Sequence, residues 1–137
     1  MQSRRLAGIL LILIPTVMYG GLTLLQMLMN DPAYMANELR QNFWRAGHAH
    51  AGVLLILSLV ALRYVDDAAL SAGWKGVARL AIPTAAILMP AGFFLSMIRP
   101  SDTAPSDLIY LTYVGAVFLA TGVLTLGIGL VRKPRPS

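Results

Sequence analysis

Cysteine is absent from the 137 residues. That excludes disulfides, thiolate metal cages, iron–sulfur clusters and thiol nucleophiles. Charge is scarce as well. Asp, Glu, Lys and Arg make up 12% of the chain, against roughly 25% in an ordinary soluble domain. The few charges collect between long apolar runs, the pattern of membrane spans joined by wet loops. There is no glycine-rich phosphate loop, no Ser-His-Asp set and no kinase or nucleotide motif. Too few charges fall within the apolar runs to line an ion pathway, which argues against a pump or channel. The net charge is +5, but the basic residues sit singly or in pairs at span ends. They read as topology signals and headgroup contacts, so the expected partner is the lipid bilayer and not nucleic acid.

What is present is four apolar runs, at about 6–29, 43–65, 76–98 and 107–131. Each is long enough to cross a hydrocarbon core of about 30 Å at 1.5 Å per residue. Short connections and no internal repeat predict a single all-α domain over 1–137, a four-helix transmembrane bundle running up-down-up-down. A signal peptide is the rival reading of the first run, with Arg4 and Arg5 as its basic start. The run is too long for that and lacks a small-x-small cleavage site. Within the spans, Pro15, Pro83 and Pro90 predict bends, and Gly20-Gly21 predicts close approach of a neighbouring helix. Gly115, Gly122, Gly127 and Gly129 predict tight packing of the fourth span. Asp31-Pro32 reads as a helix cap followed by a first-turn proline, so a short interfacial helix is expected in the first loop. Tyr34 and Trp44 read as interface anchors. Asp107 suits the mouth of the fourth helix, and the tail from Arg132 to Arg135 reads as a basic disordered end.

Counting Lys and Arg sets the orientation. Eight (Arg4, Arg5, Arg63, Lys75, Arg79, Arg132, Lys133 and Arg135) flank the termini and the second loop, against three (Arg40, Arg45 and Arg99) near the first and third loops. Both termini are therefore expected in the cytoplasm, across a bacterial cytoplasmic membrane. That puts the histidines toward the outer side, one to two turns inside the membrane.

His48 and His50 are the two histidines, and both fall within the second run. Two residues apart on a helix means about 200° apart in direction, so one metal ion does not easily take both. The chain also lacks the further ligands of a zinc or copper cage. The seven methionines are scattered and read as packing residues. A porphyrin changes the requirement, because haem iron takes four ligands from the macrocycle and only one or two from protein. Ala46 and Gly47 precede His50 by one turn on its own face and offer a flat, open surface for such a ring. Arg45, Arg40 or Arg99 could meet its propionates. A structural role fits the same residues, with each histidine hydrogen-bonded to a neighbouring helix or headgroup. On that reading the chain is an interaction module of a larger membrane complex.

The segment Arg45-Ala46-Gly47-His48-Ala49-His50-Ala51-Gly52 resembles the surroundings of the haem-binding histidine in the styrene oxide isomerases. These are small four-helix membrane proteins that bind haem b and assemble as trimers. Arg4-Arg5-Leu6-Ala7-Gly8 is similar to the start of their first helix, Ala91-Gly92-Phe93-Phe94-Leu95 to their kinked third, and Ser106-Asp107-Leu108-Ile109-Tyr110 to the entry of their fourth. The likeness thus spans nearly the whole chain. It implies haem b with His50 as the axial ligand to iron, through Ala49-His50-Ala51-Gly52, in a homo-oligomer. His48 has no family counterpart, and contact with a propionate or another subunit is left to it. Arg45, Ala46 and Gly47 complete the expected cofactor-binding set. The family reaction opens an epoxide at ferric haem, with iron as Lewis acid, and gives an aldehyde. The chain departs from the family at two pocket positions, with Phe94 for a tyrosine and Ile56 for an asparagine. The fold and cofactor therefore carry over further than the substrate, which is expected to be small and apolar, and no residue is assigned a catalytic role. Electron transfer or gas sensing by a non-enzymatic haem protein is the alternative within the same cofactor class.

Overall fold

The computed structural model describes residues 2–132. The basic tail read at Lys133–Arg135 lies outside them. The chain forms α1 (Gln2–Asn30), α2 (Pro32–Met35), α3 (Glu38–Tyr64), α4 (Ala72–Ser96) and α5 (Tyr110–Val131), the last entered through a 3-10 turn at Asp107–Ile109. Four of these are long and apolar enough to cross a membrane. The protein is an all-α integral membrane four-helix bundle with up-down-up-down topology.

The caps explain the boundaries. Asp31 accepts hydrogen bonds from the N–H groups of Ala33 and Tyr34, and Pro32 occupies the first turn of α2. That is the short helix expected from Asp31-Pro32. α3 begins about five residues before its apolar run does, because Asn37 caps it by accepting from the N–H of Arg40 at 2.9 Å. The two histidines consequently lie about three turns inside α3 rather than at its start. The Asn37 amide also donates to the carbonyls of Pro100 at 3.0 Å and Asp102 at 2.9 Å. One side chain thereby ties the first loop to the third.

The four spans are not equally enclosed. α4 packs along α5 on one side and α3 on another, while α1 rests mainly on α3. Only 6% of the α1 span is buried, against 39% for α4. Two apolar cores result. One joins Ala61 and Val65 to Ala78 and Ile82 of α4 and Leu126 of α5. The other joins Leu10 of α1 to Leu55 and Leu62 of α3. Lipid is as apolar as leucine, so helix contact here depends on close packing rather than on water exclusion. α5 supplies that closeness through Gly115, Gly122 and Gly129, seven residues apart and all buried against α4 or the turn before it. A seven-residue repeat keeps one seam on the partner helix. Gly127 falls off the seam and faces open space.

At the end that holds the N-terminus, Arg79 of α4 gathers three partners. Its Nε donates to Ser3 at 2.9 Å, Nη1 to Gln2 at 3.3 Å and Nη2 to Asp66 at 2.8 Å. This links α1, α4 and the α3–α4 turn. Hydrogen bonding by Ser3, then by Arg79, holds the Asp66 carboxyl below the usual carboxylate range.

Candidate functional site

Around the histidines α3 is a run of small residues with α1 on one side and α4 on the other. The pair splits as helix geometry requires. His48 points at α1, where its ring lies over Gly20-Gly21: a Cβ added at Gly21 would sit 3.0 Å from His48 Nε2. The glycine pair thus seats an imidazole of the same chain. His50 points toward α4. Its ring packs on Phe93 with centroids 5.0 Å apart and planes 35° apart, and Phe43 meets Phe93 edge-on at 6.0 Å.

The His50 ring is held by its own helix. Nδ1 lies 2.7 Å from the carbonyl oxygen of Ala46. A carbonyl can only accept, so Nδ1 carries the proton and Nε2 of the neutral ring keeps its lone pair. Nε2 has no hydrogen-bond partner among the described residues, and the residue is half-buried. An imidazole fixed through one nitrogen with the other left free is the arrangement that metal-binding histidines use. His50 is therefore the side chain that could hold a porphyrin iron, with its ring oriented by Ala46 and packed beside Phe93, which Phe43 meets in turn. Among the described residues, no group of three His, Cys, Asp or Glu side chains converges.

The other expected site residues are distributed differently. Gly47 does not offer an open surface. A Cβ there would meet the Phe94 ring at 2.9 Å and the Phe93 Cβ at 3.1 Å, because α4 presses its aromatic pair into the gap. Phe94 also packs edge-on against Trp44 at 5.7 Å. Ile56, the second departure from the isomerase pattern, is 59% exposed. Arg45 lies on the α1 side with His48. Its guanidinium donates to Asn42 at 3.1 Å, and it borders a crevice with Leu24, Tyr34 and Gln41.

Arg40, Tyr34 and Trp44 form a cap over the end of α4, and Tyr34 is buried in it rather than set out as an interface anchor. Arg40 is only 5% exposed. It donates from Nε to the Met97 carbonyl at 3.1 Å and from Nη2 to the Ile98 carbonyl at 3.0 Å. Its guanidinium lies over the Trp44 ring at 4.1 Å, and the Trp44 indole donates to Met97 at 3.1 Å. The carbonyls just past the end of α4 are thus met by a cation and an indole, which suits the negative end of a helix. Arg40 is committed there and does not face His50. Tyr34 is 1% exposed, and burial pushes its phenol up, with the Arg45 and Arg40 charges pulling back. The Arg99 backbone N–H, for its part, bonds Asp102 at 2.9 Å.

Sequence reasoning missed Phe43 and Phe93. Phe43 lies two helical turns before His50 and was findable by spacing. Phe93 comes from another helix and left no local signal. No family model, no curated protein and no solved structure matches the chain.

Proposed function

We propose that the protein is a haem b-binding membrane protein in which His50 is the axial ligand. The observation that carries this is the His50 ring, locked by Ala46 through Nδ1 and bare at Nε2. A histidine fixed through one ring nitrogen suits a porphyrin, which brings the remaining in-plane ligands itself. When bound, ferric haem supplies a Lewis-acidic iron for a small apolar molecule, the chemistry implied by the resemblance to the styrene oxide isomerases. The chain's own part is to orient the imidazole, to wall one side with Phe93 and Phe43, and to keep water away with the apolar surroundings. His50 sits at an edge of the α3–α4 pair, so a second copy of the chain is the natural cover. That agrees with a homo-oligomer, a trimer by the same resemblance. The excess of Lys and Arg at the terminal end supports an orientation with both termini in the cytoplasm, and a bacterial cytoplasmic membrane is part of the same proposal.

The test is a haemin titration of the detergent-purified chain followed by its visible spectrum. A sharp Soret band saturating at one haem per chain supports the reading. A colourless protein after titration overturns it.

One observation favours a second reading, a haem protein that does not isomerise epoxides. Phe94 is packed against Gly47 and Trp44 and Ile56 is exposed, so neither position offers a polar group to orient an oxygen. A six-coordinate spectrum that no added ligand perturbs, with no aldehyde formed from an aryl epoxide, supports it.

A further inference from the structure

The terminal end of the bundle carries two grooves side by side. One, of about 370 Å³, runs between α1 and α4 and is walled by Leu6 and Ile9 below Arg5 and Arg79. The other, of about 450 Å³, runs between α4 and α5 and is walled by Val77, Val117 and Phe118. Both border Gly76 and Leu80. A Cβ added at Gly76 would meet nothing within 4 Å, so the missing side chain leaves the ridge between the grooves low. Two apolar channels that meet under a basic rim match a lipid with two acyl chains and a negative headgroup.

Charge points the same way. Among the described residues this end carries six basic side chains (Arg4, Arg5, Arg63, Lys75, Arg79 and Arg132) against Asp66 and Asp67. The opposite end carries Arg40, Arg45 and Arg99 against Asp31, Glu38, Asp102 and Asp107. Arg79 is held in place by Ser3, Gln2 and Asp66, whereas Arg5 is exposed and makes no ion pair among the described residues. The rim is thus one fixed and one free guanidinium, and basic pockets between spans suit phosphate headgroups.

We propose that this end binds one anionic phospholipid, with its phosphate at Arg5 and Arg79 and one acyl chain in each groove astride Gly76. The site is independent of any cofactor at His50.

The test is native mass spectrometry of the full chain released from bilayer discs of equal dioleoyl phosphatidylglycerol and dioleoyl phosphatidylcholine. One phosphatidylglycerol per chain is expected to survive release in preference to phosphatidylcholine. Arg5→Gln is expected to lower that preference about fivefold, the effect of one basic residue at an anionic surface. Gly76→Leu is expected to lower it comparably by raising the ridge. Leucine favours a helix over glycine and its Cβ meets no protein atom within 4 Å there, so the fold is expected to be kept, as circular dichroism will verify. Parental preference in both variants overturns the proposal. So does full displacement of the lipid by millimolar inorganic phosphate, which would mark a simple anion site.

Discussion

Gly92→Ala is the sharpest perturbation of the fold that positions His50. The added Cβ would strike the Thr112 hydroxyl and lie 2.6 Å from the Thr112 backbone nitrogen. An ordinary contact begins near 3.4 Å, so α4 and α5 must separate by about 0.8 Å. Backbone cannot turn aside as a side chain can. Overpacking of this kind costs about 1–3 kcal/mol, and the upper part of that range applies here. Separation also weakens the hydrogen bond from Thr112 to the Met89 carbonyl, now 3.2 Å, for about 0.5–1.5 kcal/mol. Alanine's better helix propensity returns about 1 kcal/mol. The net expectation is a loss of about 2–3 kcal/mol. Gly127→Ala is the control, because its Cβ meets nothing within 4 Å and the propensity gain stands alone. Unfolding in mixed micelles of increasing dodecyl sulfate, followed by far-ultraviolet circular dichroism, compares the two. Equal midpoints for the variants, or a larger loss at Gly127, would refute the idea that α4 and α5 meet in close contact at Gly92 and Thr112 while Gly127 stands clear.

Three other outcomes follow from named contacts. Arg40→Leu removes two charge-assisted hydrogen bonds from the end of α4 and should destabilise by about 3 kcal/mol in the same unfolding assay. It should also shift Trp44 emission, since the cation over the indole is lost. Gly21→Leu should push α1 off His48. A cysteine pair engineered across α1 and α3, in a chain with no native cysteine to interfere, should then cross-link more slowly. Asp66, whose carboxyl is held low by Ser3 and Arg79, contributes stability that is present above the ordinary carboxylate range and lost as pH falls through the lowered value. Asp66→Asn should therefore lower the melting midpoint at neutral pH, with the difference from the parent shrinking only in strong acid.

How much of this was legible in the sequence depended on the range of the interaction. The four spans, the Asp31-Pro32 cap and the divergence of His48 from His50 rest on composition and on rotation per residue, which are local. Gly20-Gly21 announced a close approach but not that a histidine would fill it. Four glycines suggested packing in α5, and the seven-residue spacing separates Gly115, Gly122 and Gly129 from Gly127. The Arg40 cap was not legible. Its acceptors, Met97 and Ile98, are carbonyls on another helix, and no side-chain pattern announces a carbonyl. The same distance hid Phe93 behind His50 and Phe94 over Gly47, so a surface expected to lie open is filled by aromatic rings. Tyr34 looked like an anchor because position near a span end suggests it, yet α2 folds it inward, while Trp44 stays half-buried on α3 with its indole bonded to Met97.

Haem binding as proposed depends on His50 and not on His48. The most direct measurement is the visible spectrum of His50→Ala and His48→Ala after identical purification and haemin supplementation. His50→Ala is expected to lose the Soret band and to regain it with added imidazole, whereas His48→Ala is expected largely to keep it. Loss of the band in His48→Ala with retention in His50→Ala would rule out His50 as the ligand.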